Sequence, residues 1–139
     1  MPLVFLPLLF AFSLEAKPLG SSAASASSPV GVWRGQSVCV VKPSACRDED
    51  SVYRISPDPK SEDRVILSGN KMVNGNEVNM GTGDCTYHRN ANTLDCPLPG
   101  GNSLQLEVNG NSITGKMTLQ DGTLWRKISL KRDERNRSR

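Results

Sequence analysis

Few side chains in this 139-residue chain are of a type and spacing that could do chemistry. His88 is the only histidine, and catalysis near neutral pH draws on a histidine or on a coupled acid and base. Asp84, Arg89 and Asp95 are its charged neighbours in a segment that reads as a hairpin. His88 falls beside the turn and faces outward, so it reads as a solvated side chain and the two carboxylates as surface charges. Asp48-Glu49-Asp50 offers oxygens to a calcium ion, but it lacks a glycine-turned series of ligands. It reads as an acidic turn instead. No G-x-S-x-G, H-E-x-x-H or phosphate-binding loop occurs. The expectation is a protein without catalytic residues, bound metal or cofactor.

Four cysteines remain, and their spacings, Cys39-x6-Cys46 and Cys85-x10-Cys96, are not those of a zinc site. An even number behind an export-like amino terminus predicts two disulfides in an oxidising compartment. Four cysteines allow three connectivities, and the local hairpin chooses among them. If Arg89-Asn90-Ala91-Asn92 is a four-residue loop, His88 faces Thr93, Tyr87 faces Leu94 and Cys85 faces Cys96. Directly opposed residues of this kind lie within reach of a disulfide. Cys39–Cys46 follows from the short loop around Pro43 and by elimination.

Around these residues the chain alternates as strands do. Leu104, Leu106 and Val108 share one strand face; Ile113, Gly115, Met117 and Leu119 form a second row. Leu124, Arg126, Ile128 and Leu130 form a third, with Trp125, Lys127 and Ser129 opposite. Earlier strands are expected at 30–41, 51–56, 64–68, 77–80, 84–88 and 93–98, the fourth and fifth separated by Gly81-Thr82-Gly83. Asn74-Gly75, Asn109-Gly110 and Asp121-Gly122 mark turns. Val-Asn-Gly-Asn stands at both 73–76 and 108–111 and reads as one turn chemistry used twice. No helical period with caps interrupts this order. The fold class is therefore all-β: an antiparallel up-and-down barrel of about eight strands, stapled by disulfides, with a β-sandwich as the alternative.

Arg126 is out of place in its apolar row, because a guanidinium among hydrocarbon is costly without an acceptor. Trp33 is its predicted partner, through the attraction of an aromatic face for a cation; alternatively Arg126 snorkels to the barrel mouth. Gly31-x-Trp33-x-Gly35 at the start and Arg126 in the last strand together resemble the calycin, or lipocalin-like, pattern. In that pattern a first-strand tryptophan stacks on a last-strand arginine at the closed end. The layout also resembles an uncharacterised family of secreted bacterial proteins. The calycin resemblance implies a small apolar ligand held inside the barrel, with Trp33, Tyr53, Tyr87 and Met117 as candidate lining and with space left by Gly35 and Gly115. The alternative is an inhibitor that binds a protein target through Ser27-Ser28-Pro29 or through Pro97-Leu98-Pro99-Gly100-Gly101.

Residues 1–26 read as a secretory leader, with cleavage after Ala16 or Ala26. They hold all three phenylalanines, which leaves Trp33, Trp125, Tyr53 and Tyr87 as the aromatics of the domain. The single domain is expected at 27–130 and a basic flexible tail at 131–139. Between Ser27 and Leu130 eleven basic residues meet eleven acidic ones, and the net charge of +3 comes from the tail. Nucleic acid is therefore not an expected partner, nor is a membrane anchor once the leader is removed. The expected location is secreted or periplasmic.

Overall fold

In a computed structural model the chain is described for Pro2 and for residues 28–41 and 45–136; the rest of the expected leader at 1–26, Ser27, Pro43 and the last three residues lie outside that range. Eight antiparallel strands follow one another around a closed barrel. They are β1 (Gly31–Cys39), β2 (Glu49–Asp58), β3 (Ser61–Val73), β4 (Asn76–His88), β5 (Thr93–Pro97), β6 (Ser103–Asn109), β7 (Ser112–Thr118) and β8 (Leu124–Arg132). Each pairs with the next, and β1 pairs with β8, so the meander closes and no strand is left wholly unpaired. The barrel, not the sandwich, is the fold.

Turn chemistry sets this order. Asn74 and Gly75 both have positive φ (51° and 80°), as a type I′ hairpin needs, and Val73 pairs directly with Asn76. The second Val-Asn-Gly-Asn behaves differently. There Asn109 pairs with Ser112, so Gly110 and Asn111 are the loop, and of these only Gly110 has positive φ. One tetrapeptide thus makes two turns that differ in register by one residue. The flanking strands decide this, because Leu106 and Val108 must stay inside.

The inward rows are those the alternation predicts. Leu104, Leu106, Val108, Ile113, Ile128 and Leu130 are each 3% exposed or less. The hairpin register is also as predicted: Tyr87 pairs with Leu94, His88 pairs with Thr93, and Cys85 and Cys96 are disulfide-bonded with Cα atoms 4.3 Å apart. Cys39 and Cys46 form the second disulfide. Two disulfides fit an oxidising compartment.

Strand ends differ more. β3 and β4 run thirteen residues each, and β4 continues through Gly81-Thr82-Gly83 without a break. The glycines are accommodated by a bulge: the pairing steps from Gly69 with Gly81 to Asn70 with Asn79, leaving Met80 as the extra residue.

At the closed end the expected pairing is corrected. Arg132, not Arg126, lies over the Trp33 ring, its guanidinium carbon 4.1 Å from the ring centroid. The reason is register, since Trp33 is directly opposite Arg132 across the β1–β8 seam whereas Arg126 is opposite Cys39, at the other end of β1. Trp33 is fully buried, and its indole N–H donates to the Pro29 carbonyl at 2.8 Å. Arg132 donates to the carbonyls of Val30 (2.8 Å) and Ser28 (2.6 Å). Gly35 sits in the same seam. A Cβ there would lie 2.0 Å from the Ser129 carbonyl oxygen, so this glycine permits close backbone approach and opens no space. Gly115 is similar, its missing side chain replaced by Leu106, whose Cδ2 would lie 2.4 Å from a Cβ.

The domain boundary also moves outward, since β8 includes Lys131 and Arg132, and a 3-10 turn follows at Glu134–Asn136. Arg34 Nε donates to Asp133 Oδ2 at 2.6 Å, and Arg135 Nε donates to Asp133 Oδ1 at 3.0 Å. Residues 131–136 are therefore part of the barrel's closure and not a loose tail.

Two predictions follow from the seam. Arg132→Ala is expected to destabilise the fold by about 1–3 kcal/mol. In double-mutant cycles with Trp33→Phe, Arg132→Ala will show coupling and Arg126→Ala none, as read by denaturant unfolding. The second concerns acid. Arg135 and then Arg34 hold the Asp133 carboxyl well below the usual range, and the hydrogen bond from Arg54 lowers that of Glu77. Both groups have lower folded-state than unfolded-state values, so their contribution is complete above the ordinary carboxylate range of about 4. It is lost as pH falls from there through the folded-state values. Stability measured against pH will fall below about pH 4, and Asp133→Asn will flatten that fall.

Candidate functional site

Strand direction places β1's end, β2's start, the β3–β4 tip and the 98–102 and 119–123 connections at the end of the barrel opposite Trp33. There the interior opens into a cavity of about 410 Å³, within the usual range of small-ligand sites, roughly 300–1,000 Å³. Leu67, Leu104, Met117, the Cys85–Cys96 disulfide and Leu98 supply apolar wall, and Met80 reaches it from the bulge. One side of the cavity borders an incomplete seam. β4 pairs with β5 only from Thr86 to His88, and among the described residues no strand pairs with 76–84 on the side away from β3. Gly81 and Gly83 line that side, and a Cβ on either would meet nothing within 4 Å.

The polar wall is built by three adjacent strands. Ser37 of β1, Glu49, Ser51 and Tyr53 of β2 and Arg126 of β8 all face inward. Arg126 is 6% exposed and donates to the Ser37 hydroxyl at 3.2 Å and, weakly, to the Ser37 carbonyl at 3.5 Å. Its Nη2 lies 3.5 Å from Glu49 Oε1, and the same carboxylate oxygen lies 3.7 Å from Lys71 Nζ. Two cations thus share one carboxylate. Burial pushes the Tyr53 phenol up to about 12, with Glu49 adding to the rise and Arg126 opposing it. Tyr53 therefore remains a neutral hydroxyl at physiological pH.

A bulge on β8 brings Trp125 to the same place. Met117 pairs with Arg126 and Thr118 with Leu124, so Trp125 is an extra residue. Simple alternation puts it outside; the bulge turns it to the cavity, with the Arg126 guanidinium carbon 5.1 Å from its ring centroid. Arg126 therefore has an aromatic partner, but it is its neighbour in the chain and not Trp33.

The acidic turn resolves into three separate roles. Asp48 Oδ1 accepts the Cys39 amide at 2.8 Å, pinning the loop that the Cys39–Cys46 disulfide closes. Glu49 turns inward, and Asp50 accepts from the Gln36 side chain on the outer face. Glu49 and Asp50 are consecutive on β2 and point to opposite faces, while Asp48 is engaged by the Cys39 amide.

Of the four expected lining residues, Tyr53 and Met117 line the cavity. Trp33 is sealed under Arg132 at the far end. Tyr87 is held at the closed end too, its hydroxyl donating to Asn92 Oδ1 at 3.0 Å and its ring lying under Arg89. His88 is half exposed, and its Nε2 lies 2.8 Å from Asp95 Oδ2 on the outer face. Pro97, Leu98 and Pro99 form cavity wall, and Leu98 packs on the core. Pro29 is buried and Ser28 accepts from Arg132, so these two residues are tied to the closed end and do not project. Ser37, Glu49, Ser51, Trp125 and Arg126 are among the members the sequence reading left out of the site. The inward charge of Arg126 was the available signal.

No protein-family model, curated protein or solved structure matches the chain, so its site is read from geometry alone.

The electrostatics of the polar wall are open to measurement. In an alkaline titration of tyrosine absorbance, one ionisation step will fall at about pH 12 and will vanish in Tyr53→Phe. Because this group's folded-state value is raised, its contribution holds below the ordinary tyrosine range of about 10. It is lost as pH rises from there through the folded value, so Tyr53→Phe will unfold less steeply in alkali.

Proposed function

We propose that this protein is a non-catalytic binder of a small amphipathic molecule, held in the open end of the barrel and exported from the cell to a secreted or periplasmic location. The observation that carries the reading is one cavity of about 410 Å³ that joins an apolar wall to a buried arginine. Binding sites of this kind draw affinity from apolar area and orientation from a few convergent polar groups. Here Leu67, Met80, Leu104 and Met117 would receive the apolar body, and Arg126, Ser37 and Tyr53 would orient the polar end. The stacking of Trp33 under an arginine of the last strand supports a calycin-like affinity for the barrel, with Arg132 in the role expected of Arg126.

Native mass spectrometry of the protein exported with its disulfides formed tests this reading. A retained adduct of a few hundred daltons is expected in the wild type. Gly83→Phe puts a ring into the open side of the cavity, where a Cβ meets no neighbour. It should remove the adduct and leave the melting temperature close to that of the wild type. An adduct that survives Gly83→Phe unchanged, or a wild type that retains and takes up no small molecule, contradicts the proposal.

A further inference from the structure

The charges of the polar wall and of its rim, where Lys71 stands, do not balance, and their contacts are loose. Arg126 and Lys71 carry two positive charges, and Glu49 is the one carboxylate within 4.0 Å of either among the described residues. Both of its contacts, 3.5 and 3.7 Å, are longer than a charge-assisted hydrogen bond, which is about 2.7–2.9 Å. The same barrel shows what a tight pair looks like. On the outer face Arg54 meets Glu77 through two parallel bonds of 2.8 and 2.9 Å, with Asn70 adding a third at 2.9 Å. The cavity pair has no such closure.

Burial is uneven as well. The Arg126 side chain is 8% exposed, whereas those of Glu49 and Lys71 are 25% and 30% exposed. Glu49 is the first residue of β2, at the open end of the barrel, and its side chain already meets solvent. Arg126 has no such exit: its guanidinium is confined between Ser37, Glu49 and the Trp125 ring. A buried guanidinium keeps its need for an anion, and a carboxylate that can return to water loses little by leaving.

Resting on the reading of the barrel as a binder, we infer that the cavity selects a monoanionic amphipath and that Glu49 is a built-in competitor for the seat of its anionic group on Arg126. In the empty barrel Glu49 occupies the seat loosely. A carboxylate whose hydrocarbon chain lies along Leu67, Leu104 and Met117 would displace it, because the chain's burial adds to the ion pair. Glu49 would then remain near Lys71 at the rim, and the set of two cations and two anions would be neutral. An uncharged molecule of equal length gains the apolar wall but has nothing to offer Arg126. A dianion would overshoot neutrality in a partly buried site, at a desolvation cost. Tyr53, held neutral, can donate to the incoming anion.

The test compares decanoate with decanol by titration calorimetry on the disulfide-bonded protein. Wild type should prefer decanoate. Glu49→Gln removes the competitor and should raise the decanoate-to-decanol affinity ratio about tenfold, or about 1.4 kcal/mol. Lys71→Met keeps the Glu49 carboxylate but removes a positive charge and one of that carboxylate's two cation partners, and should reduce the ratio several-fold. These opposite directions are not what general loosening of the fold would give. A ratio that is unchanged or lowered in Glu49→Gln overturns the competitor role, while binding of both probes in that case would leave the barrel-binding reading standing. Failure of both probes to bind any of the three proteins overturns the inference together with that reading.

Discussion

The contact on which this architecture depends is the stack of Arg132 on Trp33 across the β1–β8 seam. A meander of eight strands becomes a barrel only where its first and last strands meet, and this is the one pairing not secured by a short connection. Trp33 gives the seam a large buried surface. Arg132 covers the ring and donates through Nη1 and Nη2 to the Val30 and Ser28 carbonyls, tying down the chain before β1. Gly35 lets β8 pass close enough for the register to hold, and Asp133 fixes the chain beyond β8 through Arg34. With one end plugged in this way, the interior that remains unfilled lies at the other end.

The outer face and the cavity handle charge in opposite ways. On the outer face Arg54, Glu77, Asn70 and Asn79 interlock by short hydrogen bonds, and Arg34 approaches Glu77 at 3.9 Å. On β2, Val52 pairs with both Arg34 and Asn70 and is only 1% exposed although its side chain points outward. These groups are mutually satisfied and read as structure. At the cavity the distances lengthen, the cations outnumber the anion, and an aromatic ring backs the arginine. Satisfied networks rigidify a fold, whereas a buried charge held by long contacts is one that a ligand can complete.

Much of the barrel was legible because its signals are local. Asn74-Gly75 makes its hairpin, the four-residue loop after His88 sets the Cys85–Cys96 register, and period-2 rows mark the inner face from Leu104 to Leu130. What was not legible depended on long-range register or on an extra residue. Arg126 and Arg132 share a strand face by parity, and only the pairing of β1 with β8 says which of them meets Trp33. The bulges at Met80 and Trp125 shift two side chains toward the cavity, and nothing in the alternation announces them. Gly35 and Gly115 look like gaps in an inward row, yet neighbouring atoms take up the room. The expected lining divides in the same way: Tyr53 and Met117 lie toward the open end and border the cavity, while Trp33 and Tyr87 lie toward the closed one.

If the open end binds and the closed end does not, the two tryptophans report on the two ends separately. Heteronuclear NMR of the isotopically labelled protein, titrated with decanoate, resolves both indole N–H resonances and the Arg126 Nε–H. The account predicts that the Trp125 and Arg126 signals shift in a saturable way while the Trp33 indole, bonded to the Pro29 carbonyl under Arg132, stays in place. Shifts centred on Trp33, or confined to outward-facing residues such as Lys116 and Lys127 with Trp125 and Arg126 unmoved, would contradict it.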